Sequence, residues 1–162
     1  MADIITPLET EIIGLLADLK KSNGSYLKSV ESIVIGSGGE IIHKETFVPP
    51  CVGIEVVSGT ISTTRNDSPT SQWELPITVA IVTYLSDVGA SGEAGTPSGA
   101  KGCREIMFDV LKRLHHQEFN FGGRVTGPLE FAGMTKTARE SMMTYSLQFM
   151  LPVADPRTGL YE

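Results

Sequence analysis

The sequence predicts an α+β fold, in which a mixed or antiparallel sheet carries two amphipathic helices on one face and a long projecting β-hairpin. Apolar residues recur at helical spacing near the N-terminus and again over residues 103–114, and long alternating segments lie between and after these two stretches. Strands that follow one another in hairpin order favour antiparallel pairing, and each helix must bury its apolar stripe on the sheet. We expect one domain over residues 1–153 and a flexible tail over residues 154–162.

The first helix is predicted to begin at Pro7, a position that tolerates proline because its N–H has no helical partner. Thr6 precedes it as a candidate N-cap, and Glu9 stands where a capping-box carboxylate reaches back to the Thr6 amide. The apolar stripe behind this start consists of Leu8, Ile12, Leu15, Leu16 and Leu19. Asn23-Gly24 is a typical stop signal after it.

Alternating segments predict the strands that follow. Residues 27–35 form the first, and residues 40–47 form a weaker extended piece before two prolines. The chain then resumes as a strand over residues 51–62, passes through a polar tip, and gives its clearest alternation over residues 73–85. We expect the last two strands to form a long hairpin whose base joins the core and whose distal part projects.

The second helix is predicted over residues 103–114. Its apolar stripe consists of Cys103, Ile106, Val110, Leu111 and Leu114. Two final strands are predicted near residues 125–135 and 141–153, joined by a turn around residues 136–140. The expected order of elements is therefore α-β-(β)-β-β-α-β-β.

Length and charge restrict the function classes. The chain has 162 residues, enough for one core, and a net charge of −6. High-affinity binding of nucleic acid needs clustered Lys and Arg, so this balance argues against it. No apolar run is long enough to cross a bilayer, and the acidic N-terminus is unlike a signal peptide. We expect a soluble, intracellular protein with no membrane contact.

Residues 87–102, DVGASGEAGTPSGAKG, are the one stretch that superficially resembles a nucleotide site. A Walker loop ends in Gly-Lys-Ser/Thr, but here Ala100 separates Gly99 from Lys101, and Gly102 stands where the hydroxyl should be. The dinucleotide fingerprint is absent as well. Two interpretations remain, a weak anion site at the helix N-terminus and a contact loop, and the composition favours the loop.

Catalytic and metal-binding patterns are weak. His115 and His116 are adjacent on a helix, so their side chains diverge by roughly 100°, and a zinc site would need His43 with a cysteine from a separate element. Cys51 and Cys103 are predicted to be reduced packing residues, and the thiol of Cys103 lies on an apolar stripe where it is inert. The sequence contains no G-x-S-x-G elbow. We therefore predict no catalytic residue, no cofactor and no metal.

The order of segments resembles the tail terminator (tail completion) proteins of long-tailed phages and contractile injection systems. The likeness covers residues 6–153. It is carried by PLETEIIGLLADLKK, YLKSVESI, PPCVGIEVVSG, the hairpin to ITVAIVTYLS, the helix REIMFDVLKRL and the closing strand TYSLQFML.

This resemblance implies a non-enzymatic structural protein of the virion that is assembled in the host cytoplasm. It would form a ring, typically of six subunits, that caps the tail tube, ends its polymerisation and joins it to the neck or head. Its partners would be other copies of itself, the tail tube protein, and sheath, neck or head-completion proteins. Genome DNA would pass through without specific binding.

Two loops are the candidate assembly contacts, because a projecting polar hairpin and a glycine-rich segment can both order on a partner. The residues are Arg65, Asn66, Asp67, Asp87, Ser91, Glu93, Thr96 and Lys101. One alternative is a head-completion or minor tail protein at the same joint. An alternative of a different class is a small cytosolic nucleotide-binding protein or enzyme that uses residues 87–102.

Overall fold

The computed structural model describes residues 5–19, 27, 29–33, 50–63, 72–84, 102–121, 124–139 and 142–154. Within these ranges there are two α-helices, α1 (Ile5–Leu16) and α2 (Cys103–Leu114), and a turn of 3-10 helix (Ala17–Leu19) that extends α1. The strands are β1 (Ser29–Ser32), β2 (Cys51–Val56), β3 (Ser62–Thr63), β4 (Gln72–Tyr84), β5 (Asn120–Phe121), β6 (Arg124–Val125), β7 (Glu130–Arg139) and β8 (Met142–Ala154).

One mixed sheet dominates the molecule, with its strands in the order β1-β2-β4-β8-β7 and the short β3 beside β4. β1 runs parallel to β2, and every other neighbouring pair in this sheet is antiparallel. β5 and β6 form a separate two-stranded ribbon. The predicted α+β class is confirmed, and so is the pairing of β2 with β4.

Both helices lie on the same face of the sheet. α1 packs over β1 and β2, α2 packs over β4 and β8, and the two helices contact each other. Arg113 joins them, because its guanidinium Nη1 donates a hydrogen bond of 3.4 Å to the carbonyl oxygen of Leu15. Neither helix is long and apolar enough to span a bilayer, and the same holds for every helical segment of the described residues.

The core lies between the helices and the sheet. α1 contributes Leu8, Ile12 and Leu16, and α2 contributes Cys103, Ile106, Val110 and Leu114. The facing side chains of β4 and β8 are Leu75, Ile77, Val79, Ile81, Tyr145, Leu147, Phe149 and Leu151. Cys51 and Cys103 are both buried thiols that are not joined in a disulfide, as predicted. Leu111, expected in the core stripe, is instead half-buried against the rim of the core.

The predicted start of α1 is wrong by two residues. The helix already includes Ile5, so Thr6 is a residue of the first turn and not the N-cap. Its carbonyl oxygen accepts a hydrogen bond of 3.0 Å from the Thr10 hydroxyl. Pro7 is compatible with this earlier start, because the first turn of a helix has no partner for its N–H groups.

The predicted turn around residues 136–140 is also wrong. Lys136 lies inside β7 opposite Tyr145, and the hairpin leaves only residues 140 and 141 between Arg139 and Met142. The segment looked turn-like because it is polar, but an edge strand is exposed and tolerates such residues. The expected strand start near Val125 belongs to β6, which is separate from β7.

Several sequence predictions fall outside the described residues. They are the stop signal at Asn23-Gly24, the extended piece over residues 40–47, most of the polar hairpin tip, the loop over residues 87–101, and the tail after Ala154.

Candidate assembly interface

β7 is the long outer strand of the sheet. It has ten residues and pairs with β8 on one side only, and none of the described residues forms a strand on its other side. The other outer strand of the described sheet, β1, has only four residues. An outer strand presents a row of backbone N–H and C=O groups that can pair with another chain. The candidate functional site is therefore built around β7.

A β-bulge decides which side chains of β7 lie together. The register with β8 shifts between Phe131 and Gly133, so that Phe131 lies opposite Phe149, Met134 opposite Leu147 and Lys136 opposite Tyr145. Directly opposite residues share a face of the sheet, and the three β8 partners belong to the core face. The bulge thus places the side chains of Phe131, Met134 and Lys136 on the face of the sheet that carries the helices.

The helix layer does not cover this part of the sheet. Phe131 is 39% exposed and Met134 is 44% exposed, although both lie on the face that is buried in β4 and β8. An open cleft of about 350 Å³ runs between β7 and α2, and we call it the α2–β7 groove. Its lining residues are Phe108, Leu111, Lys112, His115 and Phe131.

The α2 side of the groove is a second helical stripe, distinct from the core stripe. Phe108, Leu111, Lys112 and His115 are spaced three and four residues apart, so they follow one side of the helix. Arg113 reaches α1 from the other side of α2. Phe108 is 58% exposed and lines the same cleft as the exposed Phe131, so the two rings belong to one apolar patch.

Phe131 anchors the floor of the groove. Its ring meets the ring of Phe149 edge to face, with centroids 5.7 Å apart and planes inclined by 64°. Phe149 is fully buried, so one side of Phe131 contacts the core while the other side is open to solvent. Edge-to-face pairs hold a ring in a defined orientation. The orientation of the Phe131 ring at the groove floor is thus set by its contact with the core and needs no partner.

One lysine lines the groove. It is the exposed Lys112 of α2, and the exposed Lys136 lies farther along β7 on the same face of the sheet. The chain as a whole is acidic, with a net charge of −6. An apolar groove with a lysine at its edge suits a partner surface that combines apolar side chains with a carboxylate.

The connection from α2 to β7 fixes the distance between the two walls. His116 adopts φ 66°, and its amide donates to the carbonyl oxygen of Leu129 at 2.8 Å. The hydroxyl of Thr126 accepts a hydrogen bond of 3.0 Å from the Phe119 amide, and the Thr126 amide donates back to the Phe119 carbonyl at 2.8 Å. Thr126 and Phe119 are buried, so these bonds are shielded from water.

None of the eight contact residues predicted from the sequence lies within the described ranges. These residues are Arg65, Asn66, Asp67, Asp87, Ser91, Glu93, Thr96 and Lys101. Of residues 87–102, only Gly102 is described, and it is the N-cap of α2 with extended backbone angles.

The residues weighed for chemistry take other roles. The predicted divergence of His115 and His116 is wrong: their rings stack with centroids 3.8 Å apart, because α2 ends at Leu114 and His116 leaves the helical backbone conformation with φ 66°. The Cys103 thiol is buried and donates to the Ile81 carbonyl oxygen at 3.6 Å. No group of three or more His, Cys, Asp or Glu side chains within the described ranges could hold a metal ion.

Sequence reasoning missed the groove. The spacing of Phe108, Leu111 and His115 was a usable signal, because it marks a second apolar stripe on the predicted helix. The β7 wall gave no such signal: simple alternation puts Phe131 and Met134 on opposite faces, and only the bulge brings them together.

Comparison with known proteins gives a match of fold. No protein-family description and no curated protein matches the sequence. Among solved structures, the fold is similar to that of a chain in the virion of a native gene transfer agent particle, with a TM-score of 0.59. The two chains are 11% identical, and the similarity covers 95% of this chain and 100% of that chain. At this identity the match establishes a shared fold.

Proposed function

We propose that this chain is a structural subunit of a phage-like particle, and that it acts there as the tail terminator. In this role, copies of the chain form a ring, with six as the number that the family resemblance implies. The ring sits on the end of the tail tube, stops its growth and joins it to the neck or head.

The observation that carries the proposal is the outer strand β7 with its uncovered apolar groove. A ten-residue edge strand beside the exposed Phe108, Phe131 and Met134 would expose a monomeric protein to aggregation. The same features suit a subunit that pairs edge to edge with other copies or with neighbouring proteins. The fold similarity to a chain of a virion particle over nearly the whole length supports the same role.

Ring closure explains how such a subunit ends a polymer. A head-to-tail contact generates a ring when its rotation closes, and a closed ring offers no free end in its own plane. When the ring binds the last layer of the tube, it covers that layer with a surface to which further tube subunits do not bind. No catalysis and no cofactor is needed for this function.

Charge suits a passage for the genome. Each copy carries a net charge of −6, and a duplex with the same sign slides past without adhering. We propose that the polar hairpin tip with Arg65, Asn66 and Asp67, and the loop over residues 87–102, contact the tube, sheath or neck proteins. The protein would then reside in the virion after assembly in the host cytoplasm.

Deletion of the gene in a strain that produces the particle tests the proposal. The expected result is tails of uncontrolled length, measured by electron microscopy, with normal length restored when the gene is supplied again. Labelled protein should be found at the tail end that faces the head. Tails of unchanged length would overturn the terminator role.

The same experiment separates the alternatives. Tails of normal length that fail to join heads, with the label on the head, would point to a head-completion protein. Saturable binding of a nucleotide by the purified chain in isothermal titration would revive the enzyme that uses residues 87–102.

A further inference from the structure

We infer that the α2–β7 groove of one copy receives the outer flank of α1 of a second copy, so that subunits join head to tail. The inference rests on the proposed self-assembly and adds which two surfaces meet. It is built from the width of the layers, the strand directions, and the distribution of apolar and charged residues.

The helix layer is narrower than the sheet. Five strands at a spacing of about 4.8 Å span about 24 Å, whereas two packed helices at about 10 Å each cover about 20 Å. Among the described elements, α1 lies over β1 and β2 and α2 lies over β4 and β8, so β7 is the strand left uncovered. The uncovered width of about 4 Å is less than the width of a helix, so side chains on the flank of a neighbouring helix can close it. In a head-to-tail pair, that helix is α1 of the next copy.

The strand directions agree with this arrangement. β2 and β8 are both antiparallel to β4, so they point the same way, and β1 follows β2. β7 is antiparallel to β8, so it is also antiparallel to β1. When a second copy is placed beside the first in the same orientation, its β1 side meets β7 with opposite strand direction. This is the more stable pairing in sheets.

The outer flank of α1 has the shape and chemistry that the groove requires. Ile5, Glu9 and Ile13 recur every four residues and form one stripe. Leu15 lies on the opposite flank, because its carbonyl oxygen contacts Arg113 of α2. Ile5 is 37% exposed, while Glu9 and Ile13 are half-buried. The stripe offers two apolar side chains with one carboxylate between them.

Charges on the two sides are complementary. Glu9 is the carboxylate of the outer flank of α1, whereas Glu31 and Glu55 lie opposite Gly53 and Thr78, on the face of the sheet away from the helices, and do not enter the contact. Lys20, Lys21 and Lys28 of the same region lie outside the described residues and do not enter this comparison. The groove, by contrast, is lined by the exposed Lys112, and the exposed Lys136 lies farther along β7 on the same face of the sheet. Opposite charges on the two faces favour head-to-tail contact and oppose like-to-like contact.

A charge-swap mixture tests the contact. The first variant carries Lys112→Glu and Lys136→Glu in the groove, and the second carries Glu9→Lys on α1. Each variant alone sets like charges against each other, so self-association measured by sedimentation should weaken at least about tenfold. An equimolar mixture should recover it, because each contact then joins opposite charges.

Glu118→Lys serves as the matched control, since Glu118 is exposed and does not line the groove. It should leave self-association unchanged and should not rescue the groove variant. Variants that associate like the wild type, or a Glu9→Lys mixture that recovers no better than the Glu118→Lys mixture, would overturn the inference.

A second measurement covers the case in which copies associate weakly. Ile5→Cys and Phe108→Cys in one chain should give intermolecular disulfides at high protein concentration, because both positions are exposed and meet across the proposed contact. Phe108→Cys with Thr60→Cys, another exposed position, should give none. The native thiols are buried and do not interfere. Absence of trapping by the first pair overturns the contact.

The outcomes for contact and function are distinguishable. Rings in electron micrographs without trapping would keep the assembly role and remove this contact. Trapping in a chain whose deletion leaves tail length unchanged would keep the contact and remove the terminator role.

Discussion

β7 and β8 are two strands of one hairpin, and they have opposite environments. β8 has a neighbour on each side, and its core-facing residues are buried under α2. Among the described strands β7 has one neighbour, and its residues on the same face of the sheet are exposed. The rings of Phe131 and Phe149 touch, yet one is 39% exposed and the other 0%. Position in the sheet, more than residue type, decides which of the two stabilises the fold and which is available to a partner.

The largest expected effect comes from truncating the two rings in turn. Phe149→Ala should lower the free energy of unfolding by about 3–5 kcal/mol, because it leaves a cavity in the core. Phe131→Ala should lower it by only about 1 kcal/mol, mostly through the lost aromatic contact. Urea denaturation followed by circular dichroism measures both. Equal losses would mean that β7 belongs to the core as much as β8 does.

The next largest effect on stability is expected in the connection between α2 and β7. Thr126→Val keeps the shape of the side chain but leaves the buried Phe119 amide without its acceptor, so the free energy of unfolding should fall by about 1–3 kcal/mol. Thr126→Ser keeps the hydroxyl and should lose less than about 1 kcal/mol. Denaturation curves compare the two variants. A valine variant as stable as the serine variant would show that this hydrogen bond contributes little.

A charge on the groove face of β7 should affect association more than stability. Met134→Lys should weaken self-association about tenfold, equivalent to about 1.4 kcal/mol, while the free energy of unfolding changes by less than about 0.5 kcal/mol. Thr135→Lys is the matched control, because Thr135 is exposed on the other face of the same strand. Sedimentation velocity distinguishes them. Identical behaviour of the two variants would argue against the groove face.

The smallest expected effect concerns the exit from α2. His116 has φ 66°, which side chains other than glycine and asparagine adopt at a cost, so His116→Gly should raise the free energy of unfolding by about 0.5–1 kcal/mol. His115→Gly should give no gain, because His115 has φ −62°. Thermal denaturation compares the two. A gain from both substitutions would point to the loss of the ring stacking as the cause.

Much of the fold could be predicted from the sequence, because its elements have strong periodicity. The core stripes of α1 and α2 and the alternation in β4 and β8 follow from the spacing of apolar residues alone, and the structure confirms them except at Leu15 and Leu111, which are only half-buried. β7 was placed inaccurately because an edge strand with a bulge keeps neither a continuous apolar face nor a regular alternation.

The candidate interface was harder to predict for a related reason. The apolar side chains of the groove come from α2 and β7, which are separate elements of the sequence. The connection between them, held by the hydrogen bonds of Thr126 and His116, brings these side chains together. Phe108 also breaks the rule that large apolar residues of a predicted helix belong to its core stripe. The assembly contacts were predicted in polar loops because the sequence shows the composition of these loops and not their geometry.

Hydrogen–deuterium exchange on the chain at low and at high concentration tests most directly whether β7 is the assembly edge. The amides of β8, already paired on both sides, should exchange slowly in both conditions. The amides of β7, together with the α2 turn around Phe108, should become markedly more protected when copies associate. Association that leaves β7 and α2 unchanged while another surface gains protection would contradict the account.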